Sequence, residues 1–189
     1  MALHPRVRLS VSTGNSRMVR QALLDRHVDI GILPAVADHP HIHAMPLWHH
    51  RGVVIVANSH RWAGRQSISL SELDGEAMIG REDGSMTQKL VDAAFARAKA
   101  KPRYVLELGS REALCEAVAA GLGHGIVWEL EAYGSGRFTT LQLSDGEVAS
   151  TDYVACLKSE RMRSVVKAFF DVTAKLPDDR SDIRALRSG

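Results

Sequence analysis

Cysteine is scarce in this chain: Cys115 and Cys156 are the only two among 189 residues, and both lie in apolar segments. That excludes a disulfide-stapled scaffold and reads as two buried free thiols in a reducing compartment. Charge of one sign is missing too. The 24 Lys and Arg against 22 Asp and Glu leave a net +2, too mild for a nucleic-acid surface. No apolar run is long enough to span a bilayer, and the opening Met-Ala-Leu-His-Pro lacks the apolar h-region of an export signal. The expectation is a cytoplasmic protein with no membrane partner. G-x-S-x-G, H-E-x-x-H, G-x-x-x-x-G-K-[ST] and G-x-G-x-x-G are all absent, so neither an enzyme nor a cofactor is indicated.

What is present is a globular composition, 45% apolar and 24% charged, long enough to bury a proper core. Val7, Leu9 and Val11 alternate with Arg6, Arg8 and Ser10, the period of a half-buried strand. Asn15 or Ser16 then caps a helix bearing Met18, Val19, Ala22 and Leu23. Val28 to Leu33 reads as a buried strand closed by Pro34, and this strand–helix–strand order points to a parallel sheet. Further strands are expected over 42–47, 53–57, 77–80, 104–108, 125–128, 138–143 and 148–157. Ser69 to Glu72 has the S-x-x-E form of a capping box. Helices are expected over 86–98 and 162–176, with another between them turning Leu114, Ala117, Val118 and Leu122 inward and stopped by Gly121 and Gly123. From 177 onward six of thirteen residues are charged, which predicts a loose tail over 177–189. The fold class is α/β, as two lobes joined by crossing strands.

The chemistry-bearing pattern is a polar signal used three times: Thr13-Gly14-Asn15-Ser16, Gly84-Ser85-Met86-Thr87 and Gly109-Ser110 each stand where a strand hands over to a helix. In parallel α/β sheets such junctions gather at the carboxyl ends of strands, where ligands bind. Helix N-termini offer unpaired N–H groups and partial positive charge, so converging ends can select an anion. Each is equally readable as an ordinary N-cap. Trp128 and Glu129 follow a strand end and reach the same region, with a core tryptophan as the plainer reading. Five histidines, His39, His41, His43, His49 and His50, crowd one stretch. With no cysteine or carboxylate pair beside them, they read as solvated loop or strand residues, and no metal is expected.

From His4 to about Leu176 the sequence resembles the effector-binding domain of LysR-type transcriptional regulators. The resemblance rests on HPRVRLSVSTGNSRMVRQALLDRHVDIGIL, SISLSELDGEAMIGREDGSMTQKLVDAAF and LELGSREALCEAVAAGLGHGIVW in this order. It implies a type 2 periplasmic-binding-protein fold, with residues 4–80 plus 151–176 as lobe one and 81–150 as lobe two. It also implies a small anionic effector held between the lobes, a homodimer or homotetramer, and DNA bound only through a winged helix-turn-helix domain that this chain lacks. Mapped here, Thr13, Gly14, Asn15, Ser16, Leu33 and Pro34 would line the site from lobe one, and Ser85, Met86, Thr87, Ser110 and Trp128 from lobe two. On the same resemblance, the family's strand–helix unit that precedes the P-x-V-x-L strand is expected to be missing from this sequence. The turns look most like those of regulators of phosphonate use, where Glu129 would meet an amine. The alternative is a transport solute-binding protein of the same fold.

Overall fold

A computed structural model describes residues 7–36, 38–132 and 136–176; the expected tail over 177–189 lies outside them. The chain falls into two compact units, with the breaks inside two strands, at Trp48/His49 and Ser150/Thr151.

The first unit is a three-layer sandwich. Helix α1 (Ser16–Leu24) leads to β1 (Gly31–Pro34), which pairs antiparallel with β8 (Ala149–Leu157) from Gly31↔Ala155 to Pro34↔Asp152. Strand β8 lies between β1 and the start of β2 (Ile42–Ala57). Leu23, Leu33, Ile42 and Ala155 form the core under α1. Leu47, Val154 and Cys156 pack under α5 (Ser164–Thr173), whose Val166, Phe170 and Thr173 are the buried positions of one helical face.

Two expectations change here. The described residues 7–15 form no strand, and Leu9 and Val11 are 60% and 86% exposed. Alternation marks a strand only if a neighbour takes its hydrogen bonds, and β1 pairs with β8 alone. The parallel pair expected across this crossover does not form, because its first member is no strand; β1 pairs instead with β8, antiparallel. Of the histidines, His39 and His41 precede β2 with their rings 6.0 Å apart, and His43, in β2, lies against Phe170. Among the described residues no group of three or more His, Cys, Asp or Glu could hold a metal.

In the second unit the end of β2 is antiparallel to both β6 (Gly125–Trp128) and β7 (Phe138–Leu143), and β3 (Ser67–Ile68) runs parallel to β7. Strands β4 (Ala77–Arg81) and β5 (Arg103–Leu108) pair in parallel, and Met78 bridges to His124 at the head of β6. Val53 to Val56 are wholly buried because successive side chains enter two cores. Val54 and Val56 meet Leu73, Val91 and Phe95 beside α2 (Met86–Ala98), whereas Val53 and Ile55 meet Leu114 and Val118 of α3 (Arg111–Ala119). A four-residue helix, α4 (Glu129–Ala132), follows β6.

The capping box forms a 3-10 turn over Ser71–Leu73. The Ser69 N–H donates to Glu72 Oε2 at 3.0 Å and the Glu72 N–H donates to Ser69 Oγ at 3.2 Å. Leu122, expected inward, is 56% exposed, since α3 ends at Ala119 and Gly121 turns away at φ +81°. Both cysteines are free thiols, Cys156 buried and Cys115 half-buried, and burial pushes both up from the usual thiol range.

Candidate functional site

In the first unit the α1 junction is a helix cap. Asn15 Oδ1 accepts the Met18 N–H at 3.0 Å, leaving the Ser16 amide without an acceptor inside the helix, as in any first turn. Thr13 and Gly14 are exposed, and Asn15 and Ser16 half-buried. Pro34 ends β1 opposite Asp152, and Ala35 follows at φ +55°, a left-handed turn that a residue with a Cβ seldom adopts.

The second unit brings its predicted residues together. Parallel pairing sets Arg81 beside Leu108, so the chain leaves β4 and β5 at the same edge. The Glu82 N–H donates to the Leu108 carbonyl at 3.2 Å, tying the two turns. Gly84, at φ +97°, makes the sharp reversal that puts Ser85 at the head of α2. Ser85 Oγ accepts the Gln88 N–H at 3.4 Å, and Ser110 Oγ accepts the Ala113 N–H at 3.1 Å at the head of α3. Ser85 is only 4% exposed, whereas Met86, Thr87 and Ser110 are half-buried. Two helix N-termini therefore start side by side from adjacent parallel strands.

Trp128, at the end of β6, contributes its backbone here and not an open ring. Its indole is 7% exposed and stacks on His50 at 5.5 Å. Its N–H donates to Glu131 Oε2 at 3.2 Å, and Glu131 Oε1 accepts from Arg111 at 2.6 Å. Arg111 also reaches Glu112 at 2.9 Å. Burial raises the Glu131 carboxyl above its usual range even with Arg111 beside it.

The sequence reading passed over two arginines at these turns. Arg81 Nε donates to Glu82 at 2.9 Å and to the Leu108 carbonyl at 3.3 Å, and Arg111 opens α3. Their signal was available, since each directly follows or precedes a strand-end turn. A third residue, Gln88, organises the floor. It accepts the Arg81 N–H at 2.7 Å and donates to Asp92 and to the Tyr104 hydroxyl at 2.8 and 2.7 Å. Tyr104 in turn donates to Asp92 at 2.6 Å. Chemically, the edge presents backbone N–H groups and two guanidiniums to an anion, balanced by carboxylates that hold the arginines in place.

The LysR substrate binding domain, as a protein family, matches residues 1–176. The chain belongs to that family. Among curated relatives, the HTH-type transcriptional regulator CysL of Bacillus subtilis is 28% identical over 125 residues, 66% of this chain and 42% of CysL. The transcriptional activator CmpR of Synechocystis is 27% identical over 171 residues, 89% of this chain and 56% of CmpR. The LysR-family chain thus spans about half the length of the curated relatives it matches. Among solved structures, the Synechocystis CcmR regulatory domain in complex with 2-PG superposes with a TM-score of 0.83 at 26% identity, covering 91% of this chain and 84% of that one. The effector-binding domain of QuiR in complex with shikimate also gives 0.83, at 24% identity and with 90% and 82% covered, a likeness of fold. The periplasmic-binding-protein-like α/β architecture expected from sequence is the one this LysR-family chain has. Among the described residues no helix is long and apolar enough to cross a membrane.

Proposed function

We propose that this chain is the effector-sensing part of a longer transcriptional regulator. It binds a small anionic metabolite, self-associates as a dimer or tetramer, and acts on DNA through an attached winged helix-turn-helix domain. The observation that carries the reading is the pair of capped helix starts, Ser85 and Ser110, set side by side with Arg81 and Arg111 at their flanks. The regulators CysL and CmpR, and the ligands 2-PG and shikimate held by the two solved domains, support it. They favour a regulator over a transport solute-binding protein. A phosphonate suits the arrangement, because its oxygens can take N–H groups from both helix starts at once. The Thr13 to Ser16 turn and Pro34 are proposed as ligand contacts as well.

The test is thermal stabilisation of the chain across 2-PG, shikimate, aminoethylphosphonate and a neutral sugar. At least one anion should raise the melting temperature in a saturable way while the sugar does not. Arg111→Gln and Thr87→Ala should each weaken that anion. A chain stabilised by none of the anions, or equally well in both variants, would remove this edge from the binding site.

A further inference from the structure

The first unit carries a second candidate site, well apart in sequence from the turns just described. The end of α1, the turn before β2 and the end of β8 border a half-open cavity of about 350 Å³, within the volume range of small-molecule pockets. Leu24, Pro40 and Leu157 give it an apolar side, whereas Arg26, His41 and Lys158 give it a polar one.

Its charge is one-sided. The Lys158 ammonium donates to the Pro40 carbonyl at 2.8 Å and has no carboxylate partner among the described residues. That leaves two of its three N–H donors for a ligand. Its backbone is pinned as well, since the Lys158 N–H donates to the His41 carbonyl at 2.9 Å. Arg26 is held by Glu160 at 2.6 Å, and Glu160 also meets Arg163, which pairs with Asp29, so that array is neutral. Arg161 next to it has no ion pair among the described residues. The His43 imidazole, lowered by its burial and then by Arg161 and Lys158, senses the same positive field.

Arg26 is itself an unexpected residue where it stands. The Arg26 N–H donates to the Leu23 carbonyl at 3.1 Å and the His27 N–H to the Ala22 carbonyl at 2.8 Å. This is the Schellman closure of α1, and Arg26 occupies its left-handed position at φ +60°. Glycine fits that position without strain, whereas an arginine there is held against a backbone cost. This closure fixes the Arg26 backbone at the cavity, where Glu160 holds its guanidinium beside a lysine without a carboxylate partner among the described residues.

We infer that this cavity binds a small amphiphilic anion, its phosphate or carboxylate on Lys158 and Arg26 and its apolar body on Leu24 and Leu157. The probes are phenyl phosphate and inorganic phosphate, titrated into the full chain and followed by the backbone amide resonances of Leu24, His41 and Ser159. Phenyl phosphate should shift these amides to saturation and bind more tightly than inorganic phosphate. Lys158→Ala and Arg26→Gly should each weaken it roughly tenfold, the loss of one charge-assisted hydrogen bond. Arg26→Gly should at the same time raise the melting temperature, which separates a lost ligand contact from a lost fold. Shifts confined to residues 85–87 and 110–113 would assign the anion to the helix starts and overturn the second site. So would full affinity in both variants, or equal affinity for the two probes.

Discussion

Arg111 and Glu131 meet at 2.6 Å, joining the first turn of α3 to the short helix after β6. The carboxylate is the deeper partner, with a side chain 19% exposed against 45% for the guanidinium. Removing the arginine therefore strands a mostly buried charge. Arg111→Ala is expected to cost about 1–2 kcal/mol near neutral pH, solvent screening at the half-exposed guanidinium holding the loss to that range. The Glu131 carboxyl is already raised by burial, so it takes up its proton more readily folded than unfolded and the loss shrinks as the pH falls. Urea denaturation of both chains between pH 4 and 8 checks this. A difference that grows toward acid would contradict it.

His124 is 2% exposed, lies edge-on to Trp62 at 5.9 Å, and its imidazole is pushed down to about 4, first by burial and then by His60. The folded chain thus binds this proton less readily than the unfolded one. Stability should be intact above the unfolded value near 6.5 and decline as the pH falls toward about 4, by at most about 3 kcal/mol for this group. His60 and His43, also lowered, act in the same direction. The urea midpoint should therefore drop across that window, with Trp62 emission following the transition. His124→Gln should flatten the drop, and an equally steep profile in that variant would clear His124 of the effect.

Gly123 and Gly109 make a matched pair. A Cβ at Gly123 would stand 2.7 Å from the Ala77 carbonyl oxygen, a backbone atom that cannot swing aside, whereas a Cβ at Gly109 would meet nothing within 4 Å. Gly123→Ala should lose about 1–3 kcal/mol, and Gly109→Ala should stay within about 0.5 kcal/mol. Thermal unfolding of the two variants decides it, and equal melting temperatures would mean that the β4–β6 contact yields freely.

Much of this architecture was legible because local chemistry decided it. The hydroxyls of Ser85 and Ser110 cap the helices they precede, Ser69 and Glu72 trade their reciprocal bonds, and the run Val53 to Ala57 is buried on both faces as an unbroken apolar strand must be. What failed depended on distant partners. Val7 to Val11 alternates like a strand, yet no described strand takes its hydrogen bonds. The two strands expected over 42–47 and 53–57 are one, β2, and where it passes Gly52 the Val148 side chain fills the space a Cβ would need and its carbonyl accepts the Gly52 N–H at 2.7 Å. The second half of that continuous strand pairs with β6 and β7. At the candidate site the serines were readable from their place before a helix. Arg81 and Arg111 were signalled only by their place beside strand-end turns, since what fixes their side chains is a carbonyl or carboxylate far along the chain.

The two thiols have a further use. Cys156 is fully enclosed in the first unit and Cys115 half-covered in the second. An alkylating reagent reaches Cys156 only when its surroundings transiently open, whereas Cys115 is within reach from the native state. The chain therefore carries its own pair of clocks, one timing the breathing of a packed interior and the other supplying the baseline rate. A bound anion that tightens the first unit would slow one and leave the other running.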